Sequence, residues 1–261
     1  MEIGMSLACF YPMQPEHVVP EAAKLNIKVC EVFLNTFSEL EERYIQELKH
    51  SCDLHGLHVH SIHPFTSSME NYLFFSPYPR RIEDAVVLYR RYAEIAKTLG
   101  AKVVNIHGDR GIGLENFEHY VNCLTPLRRL QDETGIIFAL EDVYYGSVVH
   151  PEFTARLHQV APDIRFTFDI KQAVKGGQDP YVLAEAMGNA IANFHVNDCD
   201  SEHVCLLPGK GGIDFGRISL ILHAGGYGGP GLIEVYRKNF RHSEEILQSK
   251  TFLERKFVLA K

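Results

Sequence analysis

Short apolar runs alternate with longer amphipathic stretches along the whole chain. Apolar runs of this length predict β-strands, and the continuous ones at 103–106 and 136–140 are typical of parallel strands buried on both faces. The eight predicted strands cover residues 2–9, 28–34, 58–63, 102–107, 136–142, 164–170, 191–198 and 231–236.

The stretches between these strands predict helices with the 3.6-residue period. The clearest covers 80–99, where Ile82, Tyr89 and Ala96 keep the period, Pro79 precedes the first turn and Gly100 follows the last. The other predicted helices cover residues 15–25, 38–54, 115–133, 152–160, 180–188, 215–224 and 243–258.

The regular alternation decides between fold classes. No Pro/Gly/Ser-rich linker or change of composition divides the chain. Eight strand–helix units of about 33 residues each favour a closed barrel. A doubly wound open sheet is the alternative, but it would prefer a glycine fingerprint after the first strand, and residues 5–10 contain none. The sequence therefore predicts an α/β protein with a single (β/α)8 TIM barrel domain over residues 1–261.

Composition narrows the classes of partner. Lys and Arg total 26 against 33 Asp and Glu, which gives a net charge of −7 and argues against a nucleic-acid partner. No apolar run is long enough to cross a membrane, so we expect no membrane partner. The six Cys form no CxxC pair and the N-terminus has no basic and apolar leader pattern, so we expect reduced thiols and a cytoplasmic protein.

Candidate chemistry is concentrated at the ends of six consecutive predicted strands, the third to the eighth. Each of them carries one His, Asp or Glu at or near its C-terminal end, the face on which barrel enzymes build their sites. In a barrel these ends converge, whereas on an open sheet most would lie far apart. The six residues are His63, His107, Glu141, Asp169, His195 and Glu234.

Imidazole and carboxylate groups together are suitable ligands for a divalent cation, and three buried carboxylates without one would repel each other. We predict that one divalent ion (Mn, Mg, Co or Zn) is held by Glu141, Asp169, His195 and Glu234. His63 and His107 would hold a second metal or bind substrate. Structural roles stay open for single residues: Asp169 could cap the following helix, and Glu141 could pair with Arg165 or Lys171.

Two loops add candidate residues. The segment 208–212 is not a P-loop, because position 204 is not Gly and Gly211 replaces the Ser or Thr, so we expect no nucleotide cofactor. This segment predicts a mobile loop over the barrel mouth, with Lys210 reaching the substrate. Arg110 follows His107 closely and is placed to bind a carboxylate or phosphate. Trp is absent, so Phe10, Phe65, Tyr144 and Tyr145 are the candidates for stacking on a sugar.

With these motifs the sequence resembles the xylose isomerase-like barrel superfamily. That group includes sugar and sugar-phosphate isomerases and epimerases, inosose dehydratases, hydroxypyruvate isomerase and endonuclease IV. The resemblance covers essentially the whole chain. It rests on Leu140-Glu141-Asp142, Phe168-Asp169, Phe194-His195-Val196-Asn197-Asp198, Pro208-Gly209-Lys210-Gly211-Gly212-Ile213-Asp214-Phe215 and Ile233-Glu234.

The resemblance implies the same barrel and matches Glu141, Asp169, His195 and Glu234 to the shared metal ligands. It also implies that the two Glu act as acid and base on opposite faces of the substrate. At three positions the sequence differs from the family's pattern, and these differences limit which activities the resemblance implies. Gln172 stands where the family commonly has His, the Asp-x-His of the third endonuclease IV metal is missing, and Ser201 replaces an Arg of the ketose 3-epimerases. The departures argue against a trinuclear nuclease and against a ketose 3-epimerase.

The expected function is therefore a divalent-metal-dependent isomerase or epimerase of a sugar, sugar phosphate or related polyol or keto acid. A proton would move through an enediolate, with Glu141 and Glu234 as acid and base. The substrate-binding residues would be His63, His107, Arg110, Gln172 and Lys210. A dehydratase of the inosose type stays open, as do an endonuclease IV-like phosphodiesterase at abasic DNA and a non-catalytic sugar-binding barrel. The expected partner is a small carbohydrate, and self-association into a homo-oligomer stays open.

Overall fold

In a computed structural model, residues 1–257 are described. Eight parallel strands form a closed barrel in which each strand pairs with its neighbours in sequence and β8 pairs with β1, which confirms the predicted (β/α)8 class. The strands are β1 (Ile3–Ser6), β2 (Val29–Phe33), β3 (His58–His63), β4 (Val103–Ile106), β5 (Ile137–Glu141), β6 (Arg165–Asp169), β7 (Ile191–Val196) and β8 (Gly231–Ile233).

Helices surround the barrel and also follow several strand ends. Within the described residues they are α1 (Pro15–Lys24), α2 (Glu42–Leu54), α3 (Glu70–Leu73), α4 (Pro79–Leu99), α5 (Ile112–Glu115), α6 (Phe117–Cys123), α7 (Thr125–Thr134), α8 (Pro151–Val160), α9 (Ile170–Lys175), α10 (Pro180–Met187), α11 (Phe215–Ala224) and α12 (Glu244–Lys256). The end of the predicted helix 243–258 at residue 258 lies outside the described residues. None of the helices found over 1–257 combines the length and the apolar character that a membrane crossing needs.

The predicted strands are all present, but several end earlier than predicted. The run 102–107 gives a strand that ends at Ile106, and the run 164–170 gives one that ends at Asp169. Ile170 instead begins α9, because the Asp169 side chain accepts a hydrogen bond from the amide of Lys171 and caps that helix. The correction places His107 and α9 beyond the strands, at the mouth of the barrel.

The single helix predicted over 115–133 is wrong, because α5 ends at Glu115 and two separate helices, α6 and α7, cover the rest of this range. α6 ends at Cys123 and α7 begins at Thr125, with Pro126 in the first turn of α7. Proline has no amide hydrogen to donate within a helix, but it is tolerated in a first turn. The apolar period alone did not reveal this break. Similarly, α2 begins at Glu42 rather than at 38, after a short 3-10 turn over Phe37–Leu40.

The interior of the barrel is partly polar. Glu31 of β2 is fully buried and lies among Ser61 of β3, Asn105 of β4 and Asn193 of β7, all of which are also fully buried. We call these four residues the interior network. Buried polar groups are stable only when they are hydrogen-bonded, and these bond to one another and to a residue of the candidate site.

Candidate metal centre

Four of the predicted site residues come together at the C-terminal ends of β5 to β8. His195 Nδ1 lies 3.2 Å from Glu234 Oε2, 3.8 Å from Asp169 Oδ2 and 3.9 Å from Glu141 Oε1. One candidate ligand atom from each residue lies within 4.8 Å of all the others. Four different strands or strand ends therefore supply one compact set of donors.

Asp169 serves two purposes, one with each oxygen. Its Oδ1 accepts hydrogen bonds from the Lys171 amide at 2.8 Å and from Asn197 Nδ2 at 2.8 Å. The other oxygen, Oδ2, is the one that faces His195 Nδ1. The helix-capping role that the sequence left open is therefore present together with the candidate ligand role.

The interior network fixes the orientation of the His195 ring. His195 Nε2 lies 3.0 Å from Glu31 Oε2, a distance at which the ring N–H donates to the carboxylate and leaves Nδ1 to face the other donors. Ser61 Oγ and Asn193 Nδ2 also donate to Glu31 Oε2, at 2.8 and 3.1 Å. Sequence reasoning missed Glu31, although an acidic residue inside the apolar run 29–33 was the available signal.

A second group of possible ligands shares Glu141. Glu141 Oε2 lies 3.4 Å from His63 Nε2 and 3.4 Å from His107 Nε2, and these two ring nitrogens are 3.1 Å apart. The Phe33 ring stacks on His63 with centroids 4.7 Å apart. The structure thus brings the predicted pair His63 and His107 to one oxygen of Glu141, while the other oxygen, Oε1, faces His195.

The histidines and the buried carboxylates shift each other's pKa. Burial alone would raise the pKa of Glu141, but His107, His195 and His63 lower it well below its usual value. Burial alone would lower the pKa of His195, but the Glu234 and Glu31 carboxylates raise it well above its usual value. Glu141 therefore stays ionised, and the carboxylates around His195 favour positive charge at that position.

Lys171, the second residue of α9, is a further member of the cluster. Its Nζ lies 2.9 Å from Glu234 Oε2 and 3.0 Å from Asp169 Oδ2, and its side chain is only 6% exposed. Burial alone would lower the pKa of Lys171, but Asp169 and Glu234 raise it well above its usual value. The sequence suggested Lys171 only as a partner for Glu141, so this placement was missed.

The donor set fits a divalent cation. Glu141 Oε2, Asp169 Oδ2 and His195 Nδ1 are buried and make no hydrogen bond among the described residues, although Glu141 Oε2 faces His63 and His107 and Asp169 Oδ2 has its ion pair with Lys171. Leaving such groups without a partner costs free energy that a cation would recover. Three carboxylates and one imidazole are ligands that Zn²⁺, Mn²⁺, Co²⁺ or Mg²⁺ accept.

A cavity of about 450 Å³ borders this cluster. Glu234 and Lys171 form part of its wall, so the donor set is reachable from outside the barrel. Much of the remaining wall is aromatic, which suits the apolar faces of a small ring. The aromatic lining residues are Tyr11, Phe33, Phe65 and Tyr236, of which Phe65 was a predicted stacking residue. Phe10, also predicted, is buried and packs on Phe240.

Arg110 and Gln172 lie near the second group. The Arg110 guanidinium is 4.4 Å from the centre of the Tyr145 ring, and Tyr145 Oη is 3.0 Å from His107 Nδ1. Gln172 Nε2 is 3.5 Å from Glu141 Oε1, and Gln172 Oε1 accepts from the Tyr144 amide at 3.2 Å. Gln172 thus contacts the candidate centre directly, whereas Arg110 is connected to it through Tyr145 and His107.

The structure does not bring Lys210 to the centre. Lys210 is exposed and is not part of the cavity wall. Its loop is anchored rather than free, because the Asp198 carboxylate accepts from the amides of Gly209 and Gly211, both at 2.9 Å. A Cβ at Gly211 would lie 2.2 Å from the Cys199 carbonyl oxygen, so this close approach requires glycine.

Comparisons with known proteins agree with the fold. The family described as xylose isomerase-like TIM barrel matches residues 19–256. D-psicose 3-epimerase from Clostridium cellulolyticum H10, solved with D-tagatose, superposes with a TM-score of 0.80 at 16% identity, over 98% of this chain and 99% of that one. A D-tagatose 3-epimerase-like protein gives a TM-score of 0.77 at 22% identity, over 98% and 97%.

A third solved structure, 3-keto-D-glucoside 4-epimerase from E. coli, gives a TM-score of 0.77 at 16% identity, over 98% of this chain and 99% of that one. The search of curated proteins finds no match. At these identities the solved structures establish a common fold.

Proposed function

The chain belongs to the family of xylose isomerase-like TIM barrels, and from this premise we propose that it is a metal-dependent isomerase or epimerase of a small carbohydrate. The observation that carries the proposal is the placement of two ionised carboxylates, Glu141 and Glu234, around His195 Nδ1. They come from β5 and from the residue after β8, and Glu234 also borders the cavity. Two such groups can remove a proton from one face of a bound sugar and return it to another.

Glu234 is the better placed of the two to take a proton from substrate. Burial alone would raise its pKa, but His195 and Lys171 lower the pKa well below its usual value, so the group is ionised at neutral pH. Glu141 lies deeper, 2% exposed, and contacts His63 and His107, which can pass its proton on. The pair would work as base and acid at a carbon next to a carbonyl.

The remaining residues bind and orient. Asp169 and His195 would hold the cation with the two Glu, and the cation when bound would supply Lewis acidity to neighbouring oxygen atoms of the sugar. The walls formed by Phe33, Phe65 and Tyr236 would exclude water from the carbanion-like carbon. His63, His107 and Gln172 are the polar groups available for substrate hydroxyls, and Arg110 could reach an anionic substituent through its place beside Tyr145.

The named activities of the structural neighbours support this class of reaction. Two of them are described as a D-psicose 3-epimerase and a 3-keto-D-glucoside 4-epimerase. Proteins with this fold thus include sugar epimerases, and a small-molecule carbohydrate is the partner that we propose for this chain. Within the same cluster, loss of a hydroxyl instead of reprotonation would give a dehydratase.

Solvent-deuterium exchange tests the proposal. The purified protein with added Mn²⁺ or Co²⁺ is incubated in D₂O with a panel of ketoses, aldoses, keto-glycosides and inososes. We expect deuterium in one carbon-bound position of at least one sugar, read by mass spectrometry and NMR. The absence of exchange with every compound would contradict an isomerase or epimerase and favour a non-catalytic sugar-binding barrel.

A second candidate function rests on one observation, the group His63, His107 and Glu141 beside the first set of donors. Two metals sharing a carboxylate are typical of phosphodiester hydrolysis, and an endonuclease at abasic DNA is the corresponding activity. The net charge of −7 argues against it. A nicking assay on abasic duplex DNA with Zn²⁺, together with the number of bound metals per chain, separates the two candidates.

A further inference from the structure

Lys171 occupies the oxygen atoms that a metal would need. Its Nζ forms ion pairs with Glu234 Oε2 at 2.9 Å and Asp169 Oδ2 at 3.0 Å. These same two atoms approach His195 Nδ1 at 3.2 and 3.8 Å. The ammonium group and a cation bound among the four donors would therefore compete for the same two oxygen atoms.

The charges of the cluster explain why a lysine is tolerated here. Three ionised carboxylates in a buried cluster repel each other strongly when nothing compensates them. Lys171 compensates part of this negative charge, and its backbone position is fixed because α9 begins at the residue after the capping Asp169. A divalent cation would compensate the same carboxylates, but it would also repel an ammonium group that stayed in contact with its ligands.

The ammonium group already lies at the edge of the cavity while it is paired with the carboxylates. Lys171 is one of the residues that line the cavity, and its Nζ lies 5.4 Å from the centre of the Tyr236 ring, which lines the same cavity. An aromatic face attracts an ammonium group, so a short movement of Nζ into the cavity would keep the Tyr236 contact while the carboxylate contacts are lost. Lysine side chains also have the length and flexibility to make such a move.

We propose that Lys171 is an internal competitor of the metal: it holds Asp169 Oδ2 and Glu234 Oε2 in the metal-free protein, and metal binding displaces its ammonium group into the cavity beside Tyr236. The inference rests on the metal site of the proposed function, but not on the identity of the sugar. A purely structural lysine would support the site, whereas a competitor weakens metal binding, so removal of the charge has opposite effects in the two cases.

The first test compares metal affinities. Mn²⁺ is titrated by calorimetry into chelator-stripped wild type, Lys171→Met and Lys175→Met, without any sugar. Lys175 is the matched control, because it lies on the same helix but its Nζ contacts the Tyr144 ring at 3.7 Å instead of the donors. We expect Lys171→Met to bind Mn²⁺ about tenfold or more tightly than wild type, a difference equivalent to about 1.4 kcal/mol, and Lys175→Met to be unchanged.

An affinity of Lys171→Met equal to or weaker than that of wild type would overturn the inference and leave the proposed function standing. If neither wild type nor Lys171→Met binds Mn²⁺, the metal-dependent function itself fails. Binding by Lys171→Met alone would support the inference in its strongest form.

The second test uses the wild-type protein, so it does not depend on the folding of a variant. Lysines are acylated by a brief pulse of an amine-reactive reagent, with and without Mn²⁺, and modification is read by peptide mass spectrometry. We expect Mn²⁺ to increase the labelling of Lys171 several-fold and to leave Lys175 unchanged. Equal or reduced labelling of Lys171 in Mn²⁺ would contradict the displacement.

Discussion

Glu31 and Glu141 are both buried carboxylates on barrel strands, and both approach His195, but their surroundings differ. Glu31 lies inside β2, and its oxygens accept hydrogen bonds from Ser6, Ser61 and the interior asparagines. Glu141 is the last residue of β5, and its Oε2 makes no hydrogen bond among the described residues. The two residues are 0% and 2% exposed, so burial alone does not distinguish them.

The difference shows that the role of a buried carboxylate depends on its position along the barrel strand. A carboxylate whose oxygens are saturated can only orient its neighbour, which here is the His195 ring. A carboxylate at the strand end whose Oε2 makes no hydrogen bond and faces two imidazoles at 3.4 Å can bind a cation or take a proton. Substitutions at the two positions and in their surroundings should therefore affect turnover, metal affinity and folding stability to different extents.

The largest expected effect is that of Glu141→Gln on turnover. Gln cannot take a proton and is a weaker ligand, so we expect a loss of about 10³-fold or more in kcat with an unchanged circular dichroism spectrum. The matched control is Glu133→Gln on α7, an exposed Glu paired with Arg90, which should keep full activity. Wild-type rates for Glu141→Gln on the true substrate would refute its role as acid or base.

The next largest effect is expected for Glu31→Gln. The variant keeps the shape but loses the charge that fixes the His195 N–H, so we expect metal affinity to fall by about 10- to 100-fold. Calorimetric titration with Mn²⁺ measures this. An unchanged affinity would mean that the His195 ring is oriented without Glu31, and the contrast between the two carboxylates would disappear.

Metal removal should lower the melting temperature, an effect smaller than that of Glu31→Gln on metal affinity and larger than that of Ser61→Ala on stability. Free Mn²⁺ at about 100 times its Kd stabilises the folded state by about 2.7 kcal/mol, which raises Tm by roughly 5–10 °C in a chain of this size. Scanning calorimetry with chelator and with Mn²⁺ gives the difference. The increase should be strongly reduced in Glu141→Gln, and a full increase in that variant would place the bound metal elsewhere.

The smallest effect is expected for Ser61→Ala. It removes one hydrogen bond at 2.8 Å from a carboxylate oxygen that keeps other donors, so we expect the free energy of unfolding to fall by about 1 kcal/mol. Urea denaturation measures this change. Metal affinity should stay near that of wild type, and a loss as large as that of Glu31→Gln would show that the network acts as one unit.

The order of the strands and the polar residues at or near the C-terminal ends of β3 to β8 could be predicted from sequence, because apolar runs that end in a polar residue are a local pattern. The roles of Glu31 and Lys171 could not. Glu31 interrupts an apolar strand, and only closure of the barrel brings it to His195 of β7, 164 residues away. The predicted strand 164–170 ends one residue later than the observed one, so the sequence did not indicate that Lys171 lies in the first turn of α9.

The break at Leu124 was missed for a different reason. The apolar period continues through α6 and α7, so the pattern records which face is buried but not whether the backbone hydrogen bonds continue. Pro126 was visible in the sequence, but a proline inside a periodic stretch can either bend a helix or begin a new one. Only the backbone path distinguishes these outcomes.

The double use of Asp169 limits how this site can change over evolution or in the laboratory. Its two oxygens start α9 and face the candidate cation at the same time. Exchange of Asp169 for His or Glu, to favour another metal, would also remove a short side chain that caps the helix carrying Lys171 and Gln172. A change of metal preference is therefore easier to obtain by substituting the other donors. We expect Asp169 to tolerate substitution least among the four donors.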